Sequence, residues 1–204
     1  KDLKDVNTKD DITFFTTDAT ADATALLALS KLIPTATFAS VATITEKAEE
    51  LGTNGKNVID ALNKLNNGDT DVTLTGTVSV ASVKAINDAT TGDLTVNTVK
   101  TAGGAFDLSK LGDLTEVTGL TTIDAQDGKV TNITLSIADI LAANDTPAGT
   151  GFVFNIIGDS KDIVTISDAA GWTEVTGDKV YTFANGAGTV TVNLTNVYDV
   201  VLPA

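Results

Sequence analysis

The chain has no cysteine, no histidine and no methionine, and because all 13 of its basic residues are lysine it has no arginine either. Each absence removes a class of chemistry. Without Cys or His there is no thiolate nucleophile, no imidazole base and no ordinary zinc or copper site. Without Arg there is no bidentate clamp for phosphate or carboxylate. Phosphoryl transfer, Ser-His-Asp hydrolysis and redox chemistry fall with them, so the chain is expected not to be an enzyme. No apolar run approaches the roughly 20 residues of a membrane helix, and membrane insertion is not expected. The N-terminus lacks a charged-then-apolar export leader. It also lacks an initiator Met, which points to a piece of something longer. Zero cysteine fits a bacterial secreted protein that crosses an export channel unfolded.

What the chain has in excess is acid. Its 27 acidic residues, 22 of them Asp, give a net charge of -14. Such a surface repels nucleic acid and anionic membranes. It also repels copies of itself, so association should depend on divalent cations or salt. At 204 residues the chain can bury one good core or two small ones.

The last quarter, residues 150–202, is the most regular. Phe152, Phe154 and Ile156 alternate, the turn Gly158-Asp159-Ser160-Lys161 follows, and Ile163, Val164 and Ile166 begin again. Gly171-Trp172, residues 180–183, residues 189–194 and residues 197–202 continue the pattern. Period-two apolar runs broken by Gly, Asp, Ser and Asn predict antiparallel strands joined by tight turns.

From the N-terminus, residues 1–11 suggest a linker or edge element, and residues 12–15 an apolar strand. Residues 18–22 offer helix N-caps before a stripe of Leu26, Leu29, Leu32 and Ile33 that Pro34 ends. A second helix is expected over 38–51, stopped by Gly52. A third is expected over 56–65, with Val58, Ile59, Leu62 and Leu65 on one stripe. The texture changes at Gly68. Strands are expected over 71–80 and 93–99, with a short helix over 81–89 between them. Leu108, Leu111, Leu114 and Val117 outline a short helix or a chain of turns. Residues 121–124 and 130–136 predict strands around the turn Gln126-Asp127-Gly128. Residues 78–88 and 135–145 echo each other as strand end, Ser/Ala turn, short helix and Asn-Asp stop. The expected architecture is α+β, mainly β: a helical part over 1–68, then an antiparallel, sandwich-like β-rich module over 69–204 with short inserted helices.

Residues 137–145, 154–166 and Gly171-Trp172 together resemble a module of bacterial type I-secreted surface proteins, the surface-layer (S-layer) proteins and RTX-type adhesins. Tyr181 and residues 190–194 are similar to that module's last two strands, and residues 74–92 look like its Thr/Ala-rich repeats. The resemblance covers about residues 136–202. It implies an extracellular, cell-surface protein exported by a type I system through a C-terminal signal, to which Asp199-Val200-Val201-Leu202 is similar; a plain last strand is the other reading. The Gly-Gly-x-Gly-x-Asp nonapeptide is missing, so the calcium β-roll of RTX repeats is not in this segment.

Calcium is the one cofactor this side-chain inventory suits, because it takes oxygen ligands. Asp159 and Asp162 flank a tight turn, Asp168 follows one strand later, and Asp145 ends the preceding helix; these four are the candidate metal ligands. Residues 66–71 form a second oxygen-rich cluster. In both places Asp and Asn also make turns through their own backbone hydrogen bonds. Thr73/Thr75/Thr77 and Thr189/Thr191 would suit ice or glycan, or simply a solvent-facing strand. Trp172 would stack on a sugar or sit in the core. Asn132-Ile133-Thr134 and Asn193-Leu194-Thr195 match the N-glycosylation pattern and are expected to be ordinary strand residues. The function these features imply is non-catalytic: a structural segment that self-associates or attaches to other surface components, with a ligand- or carbohydrate-binding module as the alternative.

Overall fold

The computed structural model describes residues 18–34, 36–145, 150–168, 171–175, 179–186 and 188–202. The stretches expected at 1–11 and 12–15 lie outside them, as do Pro203 and Ala204.

The chain winds in coils. In the first, strand β1 (Thr20–Asp22) leads into helix α1 (Ala23–Leu32). The second coil is β2 (Thr43–Lys47), two 3-10 turns and α2 (Lys56–Leu65). The third is β3 (Asp71–Thr75), β4 (Thr77–Ser79) and α3 (Val80–Asn87). The fourth is β5 (Leu94–Thr95), β6 (Thr98–Lys100) and β7 (Gly104–Asp107). The fifth is β8 (Val117–Thr118), β9 (Thr122–Asp124), β10 (Thr131–Leu135) and α4 (Ile137–Ala142). The sixth is β11 (Phe152–Ile157) and β12 (Ile163–Ile166), followed by β13 (Trp172–Val175) and β14 (Val180–Asn185). The last is β15 (Gly188–Thr195) and β16 (Asp199–Val201).

Strands stack with their equivalents one coil away, not with their sequence neighbours. The first side orders β1-β2-β3-β5-β8, the second β4-β6-β9-β11-β15-β14-β13, the third β7-β10-β12-β16. Pairing is parallel throughout except at β13-β14 and β14-β15. Val72 pairs with Leu94 and Leu94 with Val117, a step typical of solenoid repeats. The first sheet runs across residue 68 without a break, through the β2-β3 pair.

Each side contributes one inward ladder. Ala21, Ile44, Val72, Leu94 and Val117 line the first, and Val78, Val99, Ile123, Ile156 and Leu194 the second. Phe106, Ile133, Val164 and Val200 line the third. Nearly all are buried, in one continuous core. Each buried Val, Ile or Leu contributes about 1.5–3 kcal/mol.

The antiparallel sandwich expected from the sequence is therefore corrected to three mostly parallel sheets. Alternation marks a strand and its faces but is silent on the partner. The turns taken for hairpins are corners: residues 125–130 carry the chain from β9 to β10, and 158–162 from β11 to β12, each into a different sheet. Only the β13-β14-β15 meander is antiparallel. Nor is the N-terminal part simply helical. The helix expected over 38–51 is instead β2 and a 3-10 turn, because Thr43-Ile44-Thr45 is β-branched and pairs on both edges. Helix α2 has the expected bounds and stops at Asn66 in the left-handed region.

Candidate functional site

Two acidic places stand out. At the N-terminal end Asp22 caps α1, its Oδ1 accepting from Ala25 N at 2.8 Å. Glu46 reaches the same helix end from β2. Its Oε2 accepts from Thr24 N at 2.9 Å and from the Thr24 hydroxyl at 2.7 Å, and its Oε1 from Lys47 N at 3.0 Å. Glu46 is 2% exposed. Both carboxylates answer amide groups that a helix start leaves open, where the helix dipole also favours negative charge. With exposed Glu50 they form the one group of three acidic residues, among the described residues, whose oxygens lie within 4.8 Å of one another. An open cleft of about 290 Å³ adjoins Asp22, floored by Leu26, Leu29 and Phe38. Sequence reading found Asp22 as a cap and missed Glu46. The signal was an acid at the inward position of the run Thr43-Ile44-Thr45-Glu46.

The second place is the corner between the second and third sides. Asp162 is fully buried there: Oδ1 accepts from Thr131 N at 2.8 Å and Oδ2 from Asp159 N at 2.7 Å. Asp159 Oδ1 accepts from Lys161 N at 3.1 Å, while its Oδ2 is buried without a partner. Thr131, wholly buried, also has a partnerless hydroxyl. In the same corner of earlier coils, Asp127 Oδ2 and the Thr101 hydroxyl are likewise buried without a partner. Lys129 Nζ donates to Ala102 O at 3.2 Å and Lys161 Nζ to Gly128 O at 2.8 Å, each reaching back one coil. Lys179, from the far side of the last coil, donates to Val197 O and Tyr198 O.

Of the four expected metal ligands, the fold brings Asp159 and Asp162 together. Asp168 instead holds the start of α4, accepting from Ile137 N at 3.1 and 3.0 Å. Asp145 follows α4 with a φ of 46°. Turn-making explains much of the remaining aspartate: Asp107, Asp113, Asp124, Asp127 and Asp159 each accept from the amide two residues on. The cluster at 66–71 ties coils together likewise, Gly68 O accepting from Thr91 N at 2.7 Å and Asp71 Oδ1 from Asp93 N at 3.0 Å.

Outward positions form columns. Asp22, Thr45, Thr73, Thr95 and Thr118 stack on the first side, and the Thr95 and Thr118 hydroxyls lie 2.9 Å apart. Beside them Asp71 at the start of β3, Asp93 just before β5 and Glu116 just before β8 follow one another. Val72 N donates to Asp93 O and Leu94 N to Glu116 O, which fixes that order. Partial burial, then Asp113 and Asp93, push the Glu116 carboxyl above its usual range. Thr77 lies in another sheet from Thr73 and Thr75, so the three do not share a row. Trp172 packs on Phe183 with ring centres 5.6 Å apart. Asn193 donates to Asn155 Oδ1 at 3.2 Å, an inter-coil contact. Compared with known protein families, curated proteins and solved structures, the chain shows no match.

Proposed function

We propose that the chain is a non-catalytic structural segment of an extracellular bacterial surface-layer or adhesin-type protein, assembling or attaching through surfaces whose charge requires cations. The observation that supports this reading most is the outward acidic column Asp71-Asp93-Glu116 on a stacked scaffold. Acidic residues one strand spacing apart, about 4.8 Å, repel one another; burial and then the Asp113 charge raise the Glu116 carboxyl, and Asp93 adds to both. A surface built this way meets a like-charged copy, or another acidic surface, only with counterions between them. Aspartates engaged in turns and caps fit a scaffold role, since they hold coils in register.

Light scattering of the purified protein during a calcium titration, with magnesium and chelator as controls, tests it. Calcium-dependent, chelator-reversible growth in size is expected. A monomer whose size calcium does not change would sink the assembly reading.

A further inference from the structure

Buried polar atoms without a partner are uncommon in folded proteins, and each calls for a water, an ion or a functional reason. Four such side-chain oxygens among the described residues fall in one corner: Thr101 Oγ1, Asp127 Oδ2, Thr131 Oγ1 and Asp159 Oδ2. The tightest grouping is in the fifth and sixth coils. Asn132 pairs with Ile163, so Thr131 and Asp162 hold the preceding, neighbouring positions. Both are fully buried and share the inward parity of Ile133 and Val164, and the Thr131 amide donates to the Asp162 carboxylate at 2.8 Å, so the two residues lie side by side. Asp159 is joined to that carboxylate through its own amide. A fully buried carboxylate is thus flanked by two residues, Thr131 and Asp159, that each carry a buried side-chain oxygen without a partner.

The nearby cations do not relieve this charge. Lys161 and Lys129 direct their ammonium groups to main-chain carbonyls of the coil before. Each Asp162 oxygen accepts one amide and keeps a further lone pair. Every donor atom is oxygen, with no nitrogen or sulfur ligand on offer. That set suits a hard cation such as calcium, whose shell carbonyls and waters complete.

We propose that Asp159, Asp162 and Thr131 bind a single calcium-type divalent cation in the corner between β11 and β12, locking the fifth coil to the sixth. This deepens the cation dependence of the function proposed above, yet binding here is intramolecular and does not itself require assembly.

The test is calcium chloride titrated into the full chain, read by equilibrium dialysis and thermal melting. One ion per chain is expected, with a midpoint rise of about 5–10 °C at calcium a hundredfold above its dissociation constant. Asp159→Asn keeps the turn, because Asn makes the same local hydrogen bond, but weakens calcium binding at least tenfold. Thr131→Val removes the orphaned hydroxyl; it leaves the calcium-free protein folded and also weakens binding. Glu50→Gln, in the other acidic group, changes neither. A midpoint that calcium does not move, or a shift that survives Asp159→Asn or vanishes with Glu50→Gln, overturns the site. Calcium bound by a protein that stays monomeric upholds the site and removes the assembly reading; assembly without this bound ion does the reverse.

Discussion

In the first three coils a helix, α1, α2 or α3, follows the strands, whereas in the last four the chain adds a third-side strand, β7, β10, β12 or β16. The third and fourth coils make the contrast sharpest, because they pair with each other on the first two sides and part only at the third. After β4, Ser79 accepts from Ser82 N at 3.1 Å and starts α3. After β6, Gly103 and Gly104 take φ values of 82° and 84°, a conformation that stops a helix and readily suits only glycine. A cap or a glycine pair thus selects how a coil closes, while the inward ladder stays the same. Closure is a local decision and stacking is not.

Core truncation would break that comparison most directly. Ile86 in α3 and Ile133 in β10 are both fully buried, and cutting either to Ala should cost about 2–5 kcal/mol. Far-ultraviolet ellipticity samples the whole chain in a urea titration, and Trp172 fluorescence samples the last coils. With one continuous core, each variant should lower both midpoints together. If Ile86→Ala shifts ellipticity and leaves the fluorescence midpoint in place, the helix-closed and strand-closed coils are separate units.

A smaller effect sharpens the role of caps. Ser79→Ala and Ser136→Ala should each lose about 1 kcal/mol by denaturant melting. Ser136→Ala should lose more, because Ser136 and Asp139 form a reciprocal capping box. Equal losses would mean that packing of the two helices, not capping, sets their closure.

The smallest expected effect concerns the outward acidic column. The Glu116 carboxyl is raised in the folded state, so the fold holds its proton more tightly than the unfolded chain does. Stability from this group is therefore greatest below the ordinary glutamate range and falls as pH rises through the raised value. Glu116→Gln should stabilise the protein at neutral pH by up to about 0.5 kcal/mol, and the gain should vanish in acid. Melting midpoints across that pH range would show it; a variant less stable at neutral pH would contradict it.

The sequence made the elements legible where their cause is local. Val58, Ile59, Leu62 and Leu65, with Asn66 as stop, define α2 to the residue. What it withheld was pairing: Phe154 reads as an inward strand residue, but nothing near it names Val192 as its neighbour. The echo between residues 78–88 and 135–145 is a true likeness of capped helix starts, yet β4 and β10 belong to different sheets. The same division holds at the candidate site. Asp159 and Asp162 flank a turn and could be read off, whereas Thr131 joins them only through the parallel stacking of β10 on β12. Asp145 and Asp168 were near in sequence and went to α4 instead.

The antiparallel meander carries a consequence for how the chain reaches this structure. Its pairs are close along the chain, Trp172 with Phe183 and Asn185 with Gly188. Every other sheet contact joins residues a full coil or more apart and must first close a long loop, which slows folding. The segment nearest the C-terminus can therefore zip up first and offer β15 as a template, onto which β11 and the earlier coils wind in turn. Pulse-labelled amide exchange during refolding would then find β14 and β15 protected before β2 and β3.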